Sequence, residues 1–487
     1  MFSKFKQLAG QSSVYTFGEM LRTGLGFILL PVYTRALTPA DYGILGVTAP
    51  IFALLSTVIG LGLPAAMLRF YFDYRNDEDK LRVYMGTVSS FLILSGLVTS
   101  LIMTAIGPWL FGKLLPDTPF HPYLFLAVWN AGISIISLIP LTLFRARQKA
   151  QRYIIFTVVD FVLNTALIIY FVTVLNEGAL GSLRGQVISA LVMAVPALWI
   201  IIRASSPHFS RPMLRSSLAF SLPLLPHLLA NWALNVSDRI ILNGQVSASQ
   251  LGLYTLGYQF GILLNMVAVA LNNAWVPYFY QNTEDPEHRD TIPPFITYQV
   301  LLMALLSLAV ALLSREVIQI MANRSFWSSY QVVPWVVLGY MARFLYFFPV
   351  NGLLYTKRTK WTMIATLIAA GVNISLNLWL VPQYGIMAAA VNTFIGFLVL
   401  LVIIFVVGQR IYPVKYETRR LVQIGVVSLA LFAIGWWLLP GGLWARMAAK
   451  SLLVLSFPVI LWFTGFFTTA ERRRFQQVLS SFAKRRV

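Results

Sequence analysis

The feature that most restricts this 487-residue chain is a succession of apolar runs, each long enough to cross a lipid bilayer. A helix needs about 20 apolar residues to cover a hydrocarbon core of about 30 Å. Only helices and closed barrels satisfy every backbone hydrogen bond in that medium. Runs such as 83–107 and 385–407 are continuous, without the strict alternation of a membrane barrel. The pattern predicts an all-α polytopic membrane protein with about fourteen transmembrane helices. Their expected limits are 13–34, 42–67, 83–107, 122–143, 154–175, 184–202, 218–241, 251–276, 292–313, 328–350, 362–381, 385–407, 421–439 and 451–467. Composition agrees, with 58% apolar residues, 11% charged residues and a mean hydropathy of +0.73. A soluble protein carries about 25% charged residues. Disordered, collagen-like and disulfide-scaffold chains are excluded as well, because apolar content is high, glycine lacks a period of three and cysteine is absent.

The first run continues through Glu19 and Arg22 to span length, so no cleavable leader is expected. An even number of spans puts both termini on one side. Arg22 and Arg343 aside, 27 Lys and Arg residues lie in the tails and loops of that side, against eight in the loops and at the span ends of the other (Arg35, Lys113, Arg184, Arg239, Arg315, Arg324, Arg446 and Lys450). This bias predicts cytoplasmic termini. It also accounts for the net charge of +20, which is spread over short segments and serves topology, not nucleic-acid binding. In the tail 471–487, Phe475, Leu479 and Phe482 share a helical face between basic clusters. Such a face suits either a helix lying on anionic lipid or a plain topological anchor.

Two junctions recur 209 residues apart. Residues 37–45 match 246–254, with Gly43 facing Gly252, and residues 164–170 match 373–379, with Asn164 facing Asn373. After a two-residue slip, 177–180 faces 384–387. A duplicated unit of six spans enters the membrane in the same orientation both times, which relates the copies by an axis along the membrane normal. The expected organisation is an N-terminal lobe at 1–205 (spans 1–6) and a C-terminal lobe at 206–415 (spans 7–12). Two extra spans, a helix hairpin, follow at 416–470, then the basic amphipathic cytoplasmic tail at 471–487. Two lobes flanking a site suit alternating access by rocking.

Three stretches carry a family resemblance. They are Ser237-Asp238-Arg239-Ile240-Ile241-Leu242 followed by Leu251-Gly252-Leu253-Tyr254, residues 371–385, and residues 29–43. The chain resembles the polysaccharide-transport flippases of the multidrug/oligosaccharidyl-lipid/polysaccharide exporter superfamily, over nearly its whole length and least after about residue 415. The resemblance implies a bacterial inner-membrane protein. It implies movement of undecaprenyl-pyrophosphate-linked oligosaccharide, an O-antigen or exopolysaccharide repeat unit, from the cytoplasmic to the periplasmic leaflet. Membrane lipids, a polysaccharide polymerase and other assembly proteins are the implied partners. No cofactor is expected, with proton or sodium coupling left open.

Ionisable groups inside spans cost about 2.5–3.5 kcal/mol each on insertion scales and so mark functional candidates. Arg22 and Arg343 lie within spans, and a guanidinium matches phosphate oxygens in fork geometry. The family resemblance also implies an arginine on the first span. The competing structural readings are a Glu19–Arg22 pair and an Arg343 that reaches toward the membrane surface. In span 7, His227, Asn231, Asn235 and Asp238 are spaced 4, 4 and 3, forming a polar stripe after the helix-breaking Pro223 and Pro226. Asp238-Arg239 reads as a structural pair. Tyr258, Asn265 and Asn272 repeat every seven residues along span 8, where amides and phenols suit sugar hydroxyls. The substrate-binding candidates are therefore Arg22, Arg343, His227, Asn231, Asn235, Tyr258 and Asn265. The same polar stripes also serve as helix–helix contacts. Glu19 and Asp160 are the ion-coupling candidates.

Two alternatives compete with the flippase. A multidrug extruder of the same architecture needs an acidic cavity for cationic drugs, which the two arginines oppose. A membrane polymerase or ligase needs a large extramembrane loop, and the longest such connection is about 15 residues. The four histidines have no metal-ligand spacing, and no nucleotide-binding loop is present.

Overall fold

Among the described residues, every element of regular structure longer than a single bridge is helical. The computed structural model describes residues 27, 29–283, 291–437, 441–469 and 471–473. Glu19, Arg22, most of the first expected span and tail residues 474–487 lie outside the described residues. The helices of the first half are α1 (Leu30–Ala36), α2 (Pro39–Gly60), α3 (Leu63–Tyr74), α4 (Glu78–Leu114), α5 (Phe125–Ala146), α6 (Ala150–Ile169) and α7 (Gly178–Ala204). There follow α8 (Arg211–Ser221), α9 (Leu225–Leu242), α10 (Ala248–Thr283), α11 (Ile292–Met321), α12 (Val333–Tyr355) and α13 (Lys360–Ile411). A last pair, α14 (Thr418–Trp437) and α15 (Leu443–Phe463), completes the order.

Twelve helical stretches among the described residues are long and apolar enough to cross a membrane. One of them, α13, holds 52 residues. At 1.5 Å per residue it would measure about 78 Å, more than twice the hydrocarbon core. It breaks at Gly385, whose φ of 58° and ψ of −139° only glycine adopts readily. The break divides α13 into the eleventh and twelfth expected spans. Large apolar side chains such as Ile202 and Phe463 face outward, as lipid as solvent allows, and small residues such as Ala and Ser let helices approach closely in an interior that also buries Leu, Val and Phe.

Positions 209 residues apart share geometry as well as sequence. At the start of α2, Thr38 Oγ1 accepts from Asp41 N (3.2 Å) and Asp41 Oδ2 accepts from Thr38 N (2.9 Å). At the start of α10, Ser247 Oγ accepts from Gln250 N and Gln250 Oε1 from Ser247 N, both at 3.3 Å. These are two copies of one capping box. The helix ends repeat too. Gln148 and Lys357 are both left-handed (φ 55° and 60°), and each is followed by a donor reaching back five residues. Lys149 N donates to Phe144 O (2.9 Å), and Arg358 N to Leu353 O (2.8 Å). This is the αL ending that satisfies the last carbonyls of a helix.

The copies meet where α2 crosses α10. A Cβ on Gly43 would stand 2.0 Å from Ala248 O, and one on Gly252 would stand 1.8 Å from Pro39 O. The two contacts interchange under the 209-residue offset, so the crossing lies on the pseudo-symmetry axis. It sits at the ends of α2 and α10 that adjoin the loops with few basic residues, termed here the basic-poor face. On the same face Asn243 Nδ2 donates to Thr118 Oγ1 (2.9 Å) and Gly244 N to Asp117 Oδ2 (3.1 Å). The halves are therefore closed against each other on that face.

The α14–α15 hairpin is fastened at both ends. Near the basic-poor face Glu316 of α11 is fully buried and accepts from Lys450 Nζ at 2.9 and 2.8 Å, with Arg446 Nε 3.4 Å away. At the opposite face Arg420 pairs with Glu417 (3.0 Å) and Glu471 (3.1 Å).

Candidate functional site

The polar stripe of span 7 begins at a break. Leu222–Leu224 forms a single 3-10 turn between α8 and α9, where Pro223 and Pro226 remove backbone donors. Before the break the chain belongs to the first half. Ser217 Oγ donates to Tyr84 OH (3.2 Å) and Ser210 N to Thr87 Oγ1 (2.9 Å). After the break α9 packs against α13 of the second half. It also touches α2, where Trp232 Nε1 donates to Pro50 O (3.0 Å). Span 7 thus bridges the two halves, with its polar residues just beyond the bend.

Along α9 the stripe divides into two environments. Asn235 Nδ2 donates to Asn231 O (2.6 Å) and Oδ1 (3.1 Å). Its own Oδ1 accepts from Arg343 Nη1 at 2.5 Å, and the Arg343 guanidinium lies 5.6 Å from the Phe397 ring centre. Arg343 is half-buried, and among the described residues no carboxylate pairs with it. One turn further, Asp238 and Arg239 are buried together, 3.3 Å apart. Asp238 Oδ2 also accepts from the Tyr254 hydroxyl and from Thr393 Oγ1 (3.3 Å), while the Arg239 guanidinium lies 4.1 Å from the centre of the Tyr258 ring. The structural pair expected from sequence is present. Of the two arginines at depth in this half, Arg239 is neutralised in place and Arg343 keeps its charge. A retained cation at depth is expensive unless an anion arrives to share it.

The other candidates fall around this centre. His227 is half-buried two turns before Asn235, with Nδ1 lacking a hydrogen-bond partner. Tyr258 is only 2% exposed and gives its hydroxyl to Asn235 O (3.2 Å), so it supports the stripe from within instead of lining an open surface. Asn265 is half-buried with Oδ1 unpartnered. Its companion Asn272 accepts from Asn351 Nδ2 (3.0 Å). The repeated Asn373 is structural, donating to Asn392 O (3.0 Å) and accepting from Asn377 (3.2 Å). Asp160 is half-buried on α6, in the first half. Among the described residues no three His, Cys, Asp or Glu side chains group as metal ligands.

An apolar groove runs between α11, α12 and α14, the last of these belonging to the appended hairpin. It has a volume of about 940 Å³ and is lined by residues such as Val300, Leu308, Met341, Ile424 and Phe432. On α14 the lining extends from Leu421 to Trp437, about 24 Å of helix and most of the hydrocarbon thickness. Each helix alone reads as an ordinary span. The groove arises from their spacing.

With this geometry in place, similarity to known proteins narrows the reading. The family model described as polysaccharide biosynthesis protein matches residues 8–283. Protein 1 of the Lsg locus of Haemophilus influenzae is 25% identical over 280 residues, 55% of this chain and 65% of that protein. This chain thus aligns with somewhat less than two thirds of that relative. Among solved structures, the lipid II flippase MurJ in an inward closed conformation superposes with a TM-score of 0.73 at 13% identity, covering 93% of this chain and 98% of that one. An inward-facing multidrug resistance MATE transporter of the MOP superfamily superposes with a TM-score of 0.63 at 16% identity, covering 81% and 95%. At such identities the likeness concerns the fold. Together these findings place the chain in the polysaccharide biosynthesis protein family, as a multi-pass membrane protein with the transporter fold shared by MurJ and the MATE proteins.

Proposed function

We propose that this protein is an alternating-access flippase for undecaprenyl-pyrophosphate-linked oligosaccharide, carrying the repeat unit from the cytoplasmic to the periplasmic leaflet. The observation that carries the reading is the Arg343–Asn235–Asn231 cluster. It offers one guanidinium without a carboxylate partner among the described residues, set among amides, within a protein that also has an apolar groove about 24 Å long. The guanidinium suits pyrophosphate oxygens, the amides suit sugar hydroxyls, and the groove suits a prenyl chain. The positive-inside bias supports placing the basic-rich face and both termini in the cytoplasm of a bacterial cell. On that assignment the closed basic-poor face is periplasmic, and cargo enters from within. Arg22, which the sequence places in the first expected span, joins Arg343 in capturing the headgroup. Rocking of the halves that parts the α2–α10 crossing then opens the other face. Proton or sodium flow through Glu19 or Asp160 drives the cycle. A deletion strain tests the reading. It should accumulate lipid-linked oligosaccharide on the inner leaflet and lose surface glycan, and wild-type protein, but not Arg343→Ala, should restore display. An unchanged leaflet distribution in the deletion strain would overturn it.

A further inference from the structure

The eight basic residues of the basic-poor face are not evenly spread. Arg446 and Lys450 pair with the buried carboxylate of Glu316, and Arg315, which precedes Glu316 on α11, stands beside Tyr330 at one end of the apolar groove. Glu316 is already occupied by Lys450 on both oxygens, with Arg446 close by. Arg446 also donates to Gln319 Oε1 (3.3 Å) and Gly441 O (3.1 Å). Arg315 has none of these partners. Its guanidinium lies 5.3 Å from the centre of the Tyr330 ring, and its Nε is buried without a hydrogen-bond partner. Tyr330 belongs to the groove wall and packs on Trp436, another wall residue, with ring centres 5.5 Å apart. The α11 wall is formed by Val300, Ala304, Leu308 and Ala311, and Arg315 continues that row one turn beyond Ala311. The groove is therefore a long apolar slot with, at one mouth, a guanidinium that no carboxylate among the described residues neutralises.

We propose that this mouth is a second headgroup station, at which Arg315 holds the pyrophosphate of the cargo lipid on the basic-poor side while its prenyl chain lies in the groove. Charge decides the occupant. Among the described residues no carboxylate pairs with Arg315, so the mouth selects an anionic head, and a slot of about 24 Å selects a long chain behind it. The inference rests on the flippase reading and deepens it. Arg343 takes the headgroup before the crossing and Arg315 after it, so the cargo passes between two cations without leaving its tail groove.

The test is native mass spectrometry of the delipidated full chain in an Arg22→Ala, Arg343→Ala background, which removes both cations assigned to the first station. The probes are undecaprenyl pyrophosphate, undecaprenol, phosphatidylglycerol and inorganic pyrophosphate. The pyrophosphate lipid should bind about tenfold more tightly than the alcohol, as one charge-assisted contact supplies. Arg315→Gln should erase that preference without weakening undecaprenol, Arg315→Lys should retain part of it, and Ser428→Trp, which fills the groove, should weaken both. Inorganic pyrophosphate alone should bind far more weakly than the lipid. Retention of the preference in Arg315→Gln overturns the station, and so does phosphatidylglycerol binding as tightly as the pyrophosphate lipid, which makes the mouth a resident-lipid site. Failure of undecaprenol to bind even with Arg315 intact overturns the groove itself, and with it the tail-binding part of the flippase reading.

Discussion

Substituting Gly252 by alanine should favour opening of the basic-poor face. The added methyl would stand 1.8 Å from Pro39 O and 2.8 Å from Pro39 C, and both atoms are backbone. No side-chain rotation relieves such a contact, so α2 and α10 must part by more than an ångström. Overpacking of this kind costs about 1–3 kcal/mol. The cost arises only where the helices are crossed, so it acts on the closed state and spares a state in which they have separated. A differential of that size shifts the equilibrium about 5- to 150-fold toward opening. Gly43→Ala should act in the same direction through Ala248 O at 2.0 Å, and the pair should combine non-additively because both act at one crossing. The chain contains no cysteine, so Lys113→Cys and Ser249→Cys supply unique spin-label sites, exposed and on opposite halves. Pulsed electron paramagnetic resonance should show a short distance in the parent and a growing long-distance population in Gly252→Ala. Gly371→Ala is the control, since nothing lies within 4 Å of its Cβ position. A folded Gly252→Ala protein with the parent's distance distribution would refute the reasoning.

Three further outcomes follow from the same geometry. Arg343→Ala should abolish glycan display while membrane insertion, followed by immunoblot, is unchanged, and Arg343→Lys should keep part of the activity because it preserves charge without the fork. Glu316→Gln leaves Lys450 buried without a counter-charge and should cost about 3–5 kcal/mol, read as a fall in thermal midpoint in detergent, with Lys450→Met in the same chain recovering much of it. Glu471 follows the last span. Its partial burial pushes its pKa upward, but this is outweighed by hydrogen bonds from Tyr298 and Thr468 and by the charge of Arg420, which hold it below the ordinary glutamate value. A lowered folded pKa contributes stability above the unfolded value of about 4.3, lost as pH falls through the lowered one. Limited proteolysis should therefore cleave the segment around 464–473 only under strongly acidic conditions, and Glu471→Gln should remove this pH dependence.

Much of the architecture was legible because lipid imposes simple demands on sequence. Span length, loop charge and the 209-residue recurrence are local or periodic features, and Thr38/Asp41 and Ser247/Gln250 could be matched before their capping geometry was known. The left-handed pair Gln148 and Lys357 could not, because neither is the glycine or asparagine that announces such a conformation. The seven-residue spacing of Tyr258 with Asn265 points to a site residue. Spacing assigns a helix face but not the neighbour that covers it, and Arg239 covers Tyr258. The separation of Arg239 from Arg343 into neutralised and free charges depends on Tyr254 and Thr393, the latter 155 positions from Asp238. The Glu316–Lys450 pair, 134 positions apart, has no local signal either, since Lys450 stands just before an expected span in sequence and α15 places it inside the protein.

The most direct test of the central claim is leaflet exchange in proteoliposomes. Purified protein is reconstituted with a fluorescent undecaprenyl-pyrophosphate oligosaccharide confined at first to one leaflet, and an impermeant glycosidase reports the fraction that crosses. Wild-type protein should move the lipid, Arg343→Ala should not, and a cationic dye in parallel vesicles should stay where it was loaded. Movement of the dye without movement of the oligosaccharide lipid would contradict the account.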